Sequence, residues 1–167
     1  KLNKFILKFF SAIVLILVST TVSFSKVVGD KIILGAAVSL TGKYSSNGVH
    51  TQNGYNIAVE RINSMGGVKV DGKSYKFEII YYDDESNSGR AAQLAERLIK
   101  QDGVQYMLGP YSSGLTKAMA PVTEKYQVPM VEANGASRSL FTKGYKYLFA
   151  VLAPANLYLD VAIDTAV

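Results

Sequence analysis

Apolar positions along the chain follow two alternating rhythms. Lys31 to Val38 (KIILGAAV) is a nearly continuous apolar run, as expected of a strand buried on both faces. From Gly48 to Met65, Tyr55, Ala58, Val59 and Ile62 recur at i, i+3, i+4 and i+7. This spacing predicts an amphipathic helix, stopped by Gly66 and Gly67. Tyr75 to Tyr82 (YKFEIIYY) predicts a second strand, entered through a turn at Asp71 and Gly72. The pair of rhythms then repeats. Ser88 is placed to cap a helix whose Ala91, Leu94, Ala95 and Leu98 share a face. Gln105 to Leu108 reads as a short strand, and Leu115, Ala118, Met119 and Val122 return to helical spacing. Pro129 to Ala133, a helical turn near Ser139 to Thr142 and a strand at Tyr147 to Leu152 complete the series. Strands separated by helices of this length imply parallel βαβ units, hence an α/β fold around a parallel, Rossmann-like sheet.

In such sheets ligands bind beyond the carboxyl ends of the strands, where loops run into helices. Three loops take that position: Ser39 to Asn47, Gly109 to Gly114 and Asn134 to Arg138, all rich in glycine and hydroxyls. A fourth, Asp83 to Ser88, is more acidic. Ser112 or Ser113 is expected at the N-cap of the helix that begins near Gly114. Such a helix end presents unpaired amides and a partial positive charge, which suits a carboxylate or phosphate. A cap alone would also explain the serines, and the two roles can coexist.

Composition narrows the class. The 167 residues are 49% hydrophobic and 19% charged, a globular rather than a disordered balance. Residues 1–25 stand apart: Lys1, Lys4 and Lys8 precede the apolar stretch Phe9 to Val18 and then small polar residues. That is the layout of a secretory signal peptide, with Ser23 and Ser25 at the cleavage site and Lys26 as the mature N-terminus. Residues 26–152 then form the principal domain, and the chain is expected to be the N-terminal part of something longer. Removing the three leader lysines lowers the 18 basic residues to 15 against 13 acids, or +2. The excess positive charge is largely the leader's and does not support nucleic-acid binding. With no cysteine, the exported fold must rest on its hydrophobic core.

Several chemistries are disfavoured. The loop SLTGKYSSNGVH has Gly42 and Gly48 but neither a GxGxxG nor a GxxxxGK[ST] spacing, against a dinucleotide or P-loop enzyme. His50, the one histidine, reads as a helix-surface residue, and no Ser-His-Asp set can be completed without it. Asp83 and Asp84 read as residues that hold their loop and the following helix start rather than a metal. No cofactor, metal or catalytic residue is therefore expected.

The stretches ILGAAVSLTGKYSSNGVHTQNGYNIAVERINSMGGV, YDDESNSGRAAQLAERLI and YMLGPYSSGLTKAMAPV closely resemble the N-terminal lobe of the type I periplasmic binding proteins of branched-chain amino acid ABC transporters. The similarity runs from residue 31 to about 160. It implies a two-lobe hinged fold that closes on its ligand, with this lobe holding the α-carboxylate and α-ammonium. Ser113 matches the serine whose hydroxyl and amide hold the carboxylate, with Ser112 beside it. Asn134 falls where a backbone carbonyl receives the ammonium. Ala136 falls where the family often has threonine, so Ser137 is the candidate substitute, or the ligand is not an amino acid. Asn47 lies nearest the family's first-loop aromatic, with Tyr44 three residues earlier.

Glu132 is unusual beside a carboxylate site; it is read either as a partner for an ammonium group or as a partner for a loop cation such as Arg138. Tyr145, Tyr147 and Phe149 read as core and hinge packing. The resemblance places the crossing between lobes at Val151 to Asn156, so that residues 153–167 are the hinge and the start of the second lobe. The implied role is a monomeric, periplasmic solute-binding protein delivering an amino acid or similar small carboxylate to an ABC permease. A ligand-sensing receptor domain of the same fold is the alternative.

Overall fold

The computed structural model describes residues 27–159 and 163–165; the expected leader, residues 1–25, lies outside the described residues. Strands β1 (Val27–Val28), β2 (Lys31–Val38), β3 (Val68–Val70), β4 (Lys73–Asp83), β5 (Met107–Leu108), β6 (Met130–Glu132) and β7 (Leu148–Ala150) form one sheet. Its order is β3-β4-β2-β5-β6-β7, with β1 alongside β2. The β2–β4, β2–β5, β5–β6 and β6–β7 pairs are parallel, whereas β1 and β3 are short antiparallel additions. Helices α1 (Ser45–Ser64), α2 (Ser88–Lys100) and α3 (Ser113–Lys125) make the crossovers. Short 3-10 turns lie at Arg138–Leu140 and Ala155–Leu157. This is the mostly parallel, Rossmann-like α/β sheet expected from the sequence.

The core lies where α2 and α3 pack on the sheet. Ala91, Leu94, Ala95 and Leu98 of α2 are all buried, as their spacing requires. They meet Leu115, Met119 and Ala120 of α3 and Ile33, Ala37, Met107, Met130 and Leu148 of the strands. The face of α3 is rotated from the one its apolar residues predict. Ala118 and Val122 are half-buried, while Thr116 and Thr123 are fully buried. Each threonine hydroxyl bonds a backbone carbonyl, Ser112 or Ala120, which removes the cost of burying it. In α1, Tyr55, Val59 and Ile62 are half-buried and Ala58 is exposed, because the well-covered residues of this helix are Gly48 and Thr51 near its start.

Caps and boundaries differ in detail from the sequence pattern. Asn87, not Ser88, is the N-cap of α2: its side chain accepts the Arg90 amide at 2.9 Å. Ser112 holds the N-cap position of α3 with extended backbone but makes no side-chain cap bond. α1 ends as expected, with Gly66 and Gly67 at φ of +97° and +80°, values that an L side chain rarely adopts.

Parallel register fixes which residues meet at the carboxyl edge. Val38 lies opposite Asp83, so Ser39 and Asp84 emerge together. Leu108 lies opposite Val131, so Gly109 emerges beside Glu132, which itself lies opposite Ala150.

Candidate functional site

The first loop is clasped by the acidic one. Asp83 Oδ1 accepts the amides of Leu40, Thr41 and Glu85 at 2.9, 3.2 and 2.9 Å, and Oδ2 accepts the Thr41 hydroxyl at 2.7 Å. Ser86 Oγ donates to the Thr41 carbonyl at 2.8 Å and accepts the Tyr44 amide at 3.0 Å. Beneath this clasp the Ser39 hydroxyl and the Ser86 amide donate to Asp84 Oδ1 at 2.6 and 2.8 Å. The acid pair therefore holds the loop and the entry to α2, the role its position in the sequence suggests.

Desolvation pulls the Asp83 carboxyl upward, but the Thr41 hydroxyl and the three amides outweigh it and leave it below the ordinary range. A lowered folded value means stability that is present above the unfolded value of about 3.9 and is lost as pH falls through the folded one. Asp83→Asn should therefore flatten acid unfolding below about pH 4, as measured by circular dichroism across an acid titration.

The second half of the site joins α3 to the loop after β6. Ser113 Oγ accepts the Ser137 amide at 3.1 Å, tying the first turn of α3 to the loop 133–137. Glu132 is fully buried. Its Oε1 accepts the amides of Asn134 and Gly135, and its Oε2 accepts the Thr116 hydroxyl. The carboxylate is thus engaged by its own turn and by α3, and not in an ion pair with Arg138. Burial pushes it above the usual glutamate range, against the pull of Thr116 and the loop amides. Tyr55 of α1 reaches the same place and donates to the Gly109 carbonyl at 2.6 Å.

Between these parts lies an open cleft of about 440 Å³ lined by Asn47, His50, Thr51, Gly54, Tyr55, Tyr111, Ala133 and Asn134. Of the residues singled out in the sequence, Asn47 and Asn134 form its walls. Tyr44 is outside the lining but packs its ring edge-to-face on that of Tyr111, centroids 5.5 Å apart. Ser113 and Ser137 bond each other, and Ser112, Ala136 and Ser137 are half-buried on the same two segments. Apart from Asn47, the wall from α1 is not indicated by the sequence pattern. Asn47, His50, Thr51, Gly54 and Tyr55 fall at i, i+3, i+4, i+7 and i+8 and therefore share one helix face. That spacing is present in the sequence, but its mixed polarity gives no amphipathic signal. His50, read as a surface residue, is exposed on this face.

Gly48 sets how closely α1 approaches. A Cβ there would overlap the Ser39 carbonyl at the end of β2, so the helix start sits directly on the strand end.

A family model described as periplasmic binding protein matches residues 31–167, which include every element from β2 onward that positions this cleft. The chain belongs to the periplasmic binding protein family. Among its relatives is the leucine-, isoleucine-, valine-, threonine- and alanine-binding protein of Pseudomonas aeruginosa, 27% identical over 80% of this chain and 34% of that protein. The leucine-specific-binding protein of Salmonella typhimurium is 27% identical over 71% of this chain and 31% of its own length.

Solved structures agree. The branched-chain amino acid transporter substrate binding protein of Streptococcus pneumoniae, in complex with isoleucine, is 32% identical with a TM-score of 0.66, covering 74% of this chain and 34% of that one. An ABC transporter solute binding protein from Rhodopseudomonas palustris BisB5, in complex with 3,4-dihydroxy benzoic acid, is 27% identical with a TM-score of 0.61, covering 72% and 31%. The chain thus spans about a third of the length of the relatives it matches. These relatives are binding proteins rather than enzymes by name, and two of them carry different carboxylic acids.

Proposed function

We propose that this chain is the ligand-binding lobe of an extracytoplasmic solute-binding protein that takes up an amino acid or similar small carboxylate and delivers it to an ABC permease. Residues 26–152 form the lobe in this reading, residues 153–167 carry the chain across to a second lobe, and residues 1–25 export it to the periplasm. The protein acts as a monomer without cofactor or covalent chemistry. The observation that supports the reading is the Ser113–Ser137 bond, which ties the first turn of α3 to the loop whose Asn134 lines the cleft.

In this mechanism the ligand carboxylate is held by the Ser113 hydroxyl and the helix amides, where the partial charge of the helix end favours an anion. The Asn134 carbonyl receives an ammonium group. Tyr111, Tyr55 and Asn47 supply aromatic and polar contact in the cleft, and closure of the second lobe excludes water and forms the surface the permease reads. The aromatic and polar lining supports ligands beyond the branched aliphatic amino acids.

Melting of the whole mature protein against amino acids, amides and aromatic acids tests this, because any ligand of the native state raises the midpoint by mass action. No shift with any carboxylate would sink the reading. Ser113→Ala should weaken the bound ligand roughly 10- to 100-fold by calorimetry, the worth of one hydrogen bond to a charged group. Its melting midpoint without ligand should move little by comparison.

A further inference from the structure

The loop 133–137 carries part of the proposed site, and its path is set by a side chain that the binding reading does not use. We propose that Glu132 is the positioning residue of the cleft: a buried carboxylate that fixes the loop bearing Asn134 against α3 and the loop after β5, without itself touching the ligand. The inference rests on the binding reading for its functional consequence and on geometry for its substance.

The geometry is convergent. The amides of Asn134 and Gly135 donate to Oε1 and the Thr116 hydroxyl donates to Oε2, so the carboxylate joins its own loop to α3. Gly109 presses on the same group from β5: a Cβ there would overlap Oε2. The Gly109 carbonyl is in turn held by Tyr55 from α1. The loop bearing Ala133 and Asn134, α3 and the Gly109 segment therefore meet at one side chain, and α1 joins them through the Tyr55–Gly109 bond. Hydrogen bonds to an ionised acceptor are about twice as strong as neutral ones, and a buried donor left without an acceptor costs its full desolvation. Removing the carboxylate would strand both amides that set the path of Asn134.

Ionisation matters because all three donors point at the oxygens; a proton there would oppose one of them. The groups facing Glu132 are Tyr55 from α1, Thr116 from α3, Gly109 from the β5 loop and the amides of its own loop. Burial holds Tyr55 far above its ordinary value, so it stays neutral while Glu132 titrates. The Glu132 carboxyl is raised by burial, and the two consequences of acidification then have opposite signs. A raised folded value means that the fold gains stability as pH falls through it and loses it as pH rises. Positioning, by contrast, is lost as pH falls. A merely structural acid would give the first effect without the second.

The test uses the whole protein as wild type, Glu132→Gln and Glu132→Ala. Without ligand, the amide resonances of Asn134 and Gly135 should titrate together in the wild type, with a midpoint above the usual glutamate range, and not in Glu132→Gln. Glu132→Ala should lose hydrogen-exchange protection across residues 133–137 while Ala95 and Leu98 keep theirs. With L-leucine as probe, affinity should fall about tenfold or more in Glu132→Ala, the loss of one charged hydrogen-bond set. Glu132→Gln, a neutral stand-in for the protonated acid, should bind at every pH with the weaker affinity that wild type reaches on the acid side, and show no acid-side decline of its own. Asn134 and Gly135 amides that do not titrate together, or a Glu132→Ala loop as protected as wild type, would overturn the proposal. If the amides behave as stated but no carboxylate binds, the ligand reading falls and the positioning role stands.

Discussion

Replacing Gly48 by alanine should destabilise the protein, although the same change in most helices would stabilise it. Alanine is favoured over glycine inside a helix by about 1 kcal/mol. At Gly48 the added methyl would overlap the Ser39 carbonyl, which is backbone and cannot swing aside. Overpacking of this kind costs about 1–3 kcal/mol or more, which exceeds the propensity gain. At Gly54, on the same helix, a methyl would stand in open space, with nothing within 4 Å. Gly54→Ala should accordingly raise the melting midpoint while Gly48→Ala lowers it. Because Gly48 seats the start of α1 on the end of β2, its replacement should also displace Asn47 and Thr51 and weaken ligand binding. Two midpoints that move the same way would show that the close approach is not what fixes this helix.

The second large effect is in the core. Leu98→Ala should cost about 2–5 kcal/mol, the usual range for opening a cavity where a buried leucine has packed. Leu98 is wholly buried in the cluster where α2, α3 and the sheet meet, and none of the cleft residues is among its companions there. Chemical denaturation should therefore show a large loss of stability, whereas the affinity of the fraction that remains folded should be close to wild type. Equal losses in stability and affinity would mean that the core and the cleft are coupled more tightly than their separation in the fold implies.

The contrast between these two sites explains what could be read in the sequence. Ala91, Leu94, Ala95 and Leu98 announce their helix because burial on one face demands apolar residues at helical spacing, and the structure buries all of them. β1 and β3 left no such mark: with two and three residues, each antiparallel to a neighbouring strand, they are too short to carry a rhythm. The cleft wall of α1 was hidden for a related reason. Asn47, His50, Thr51, Gly54 and Tyr55 share a face, but one of mixed polarity that carries no apolar stripe. Asn47, Asn134 and Ser113 are named by the family resemblance, and of these Asn47 and Asn134 line the cleft. The surroundings of Glu132 could not be read in this way. Its partners are backbone amides and a threonine sixteen residues away, brought together only by the register that sets Leu108 against Val131.

The loop after β6 is held on its far side as well. The Val151 amide donates to the Glu132 carbonyl at 3.0 Å, and the Ala155 amide donates to the Ala136 carbonyl at 2.8 Å. The segment leaving the sheet is thus stitched, by its main chain, to both ends of the stretch that bears Asn134. A bound solute that stiffens this stretch stiffens the exit strand with it, and any swing of the exit strand is felt at the solute. Val151 and Ala155 are therefore natural reporters: the solvent exchange of these two amides would register occupancy at a distance, through bonds that no side-chain substitution removes.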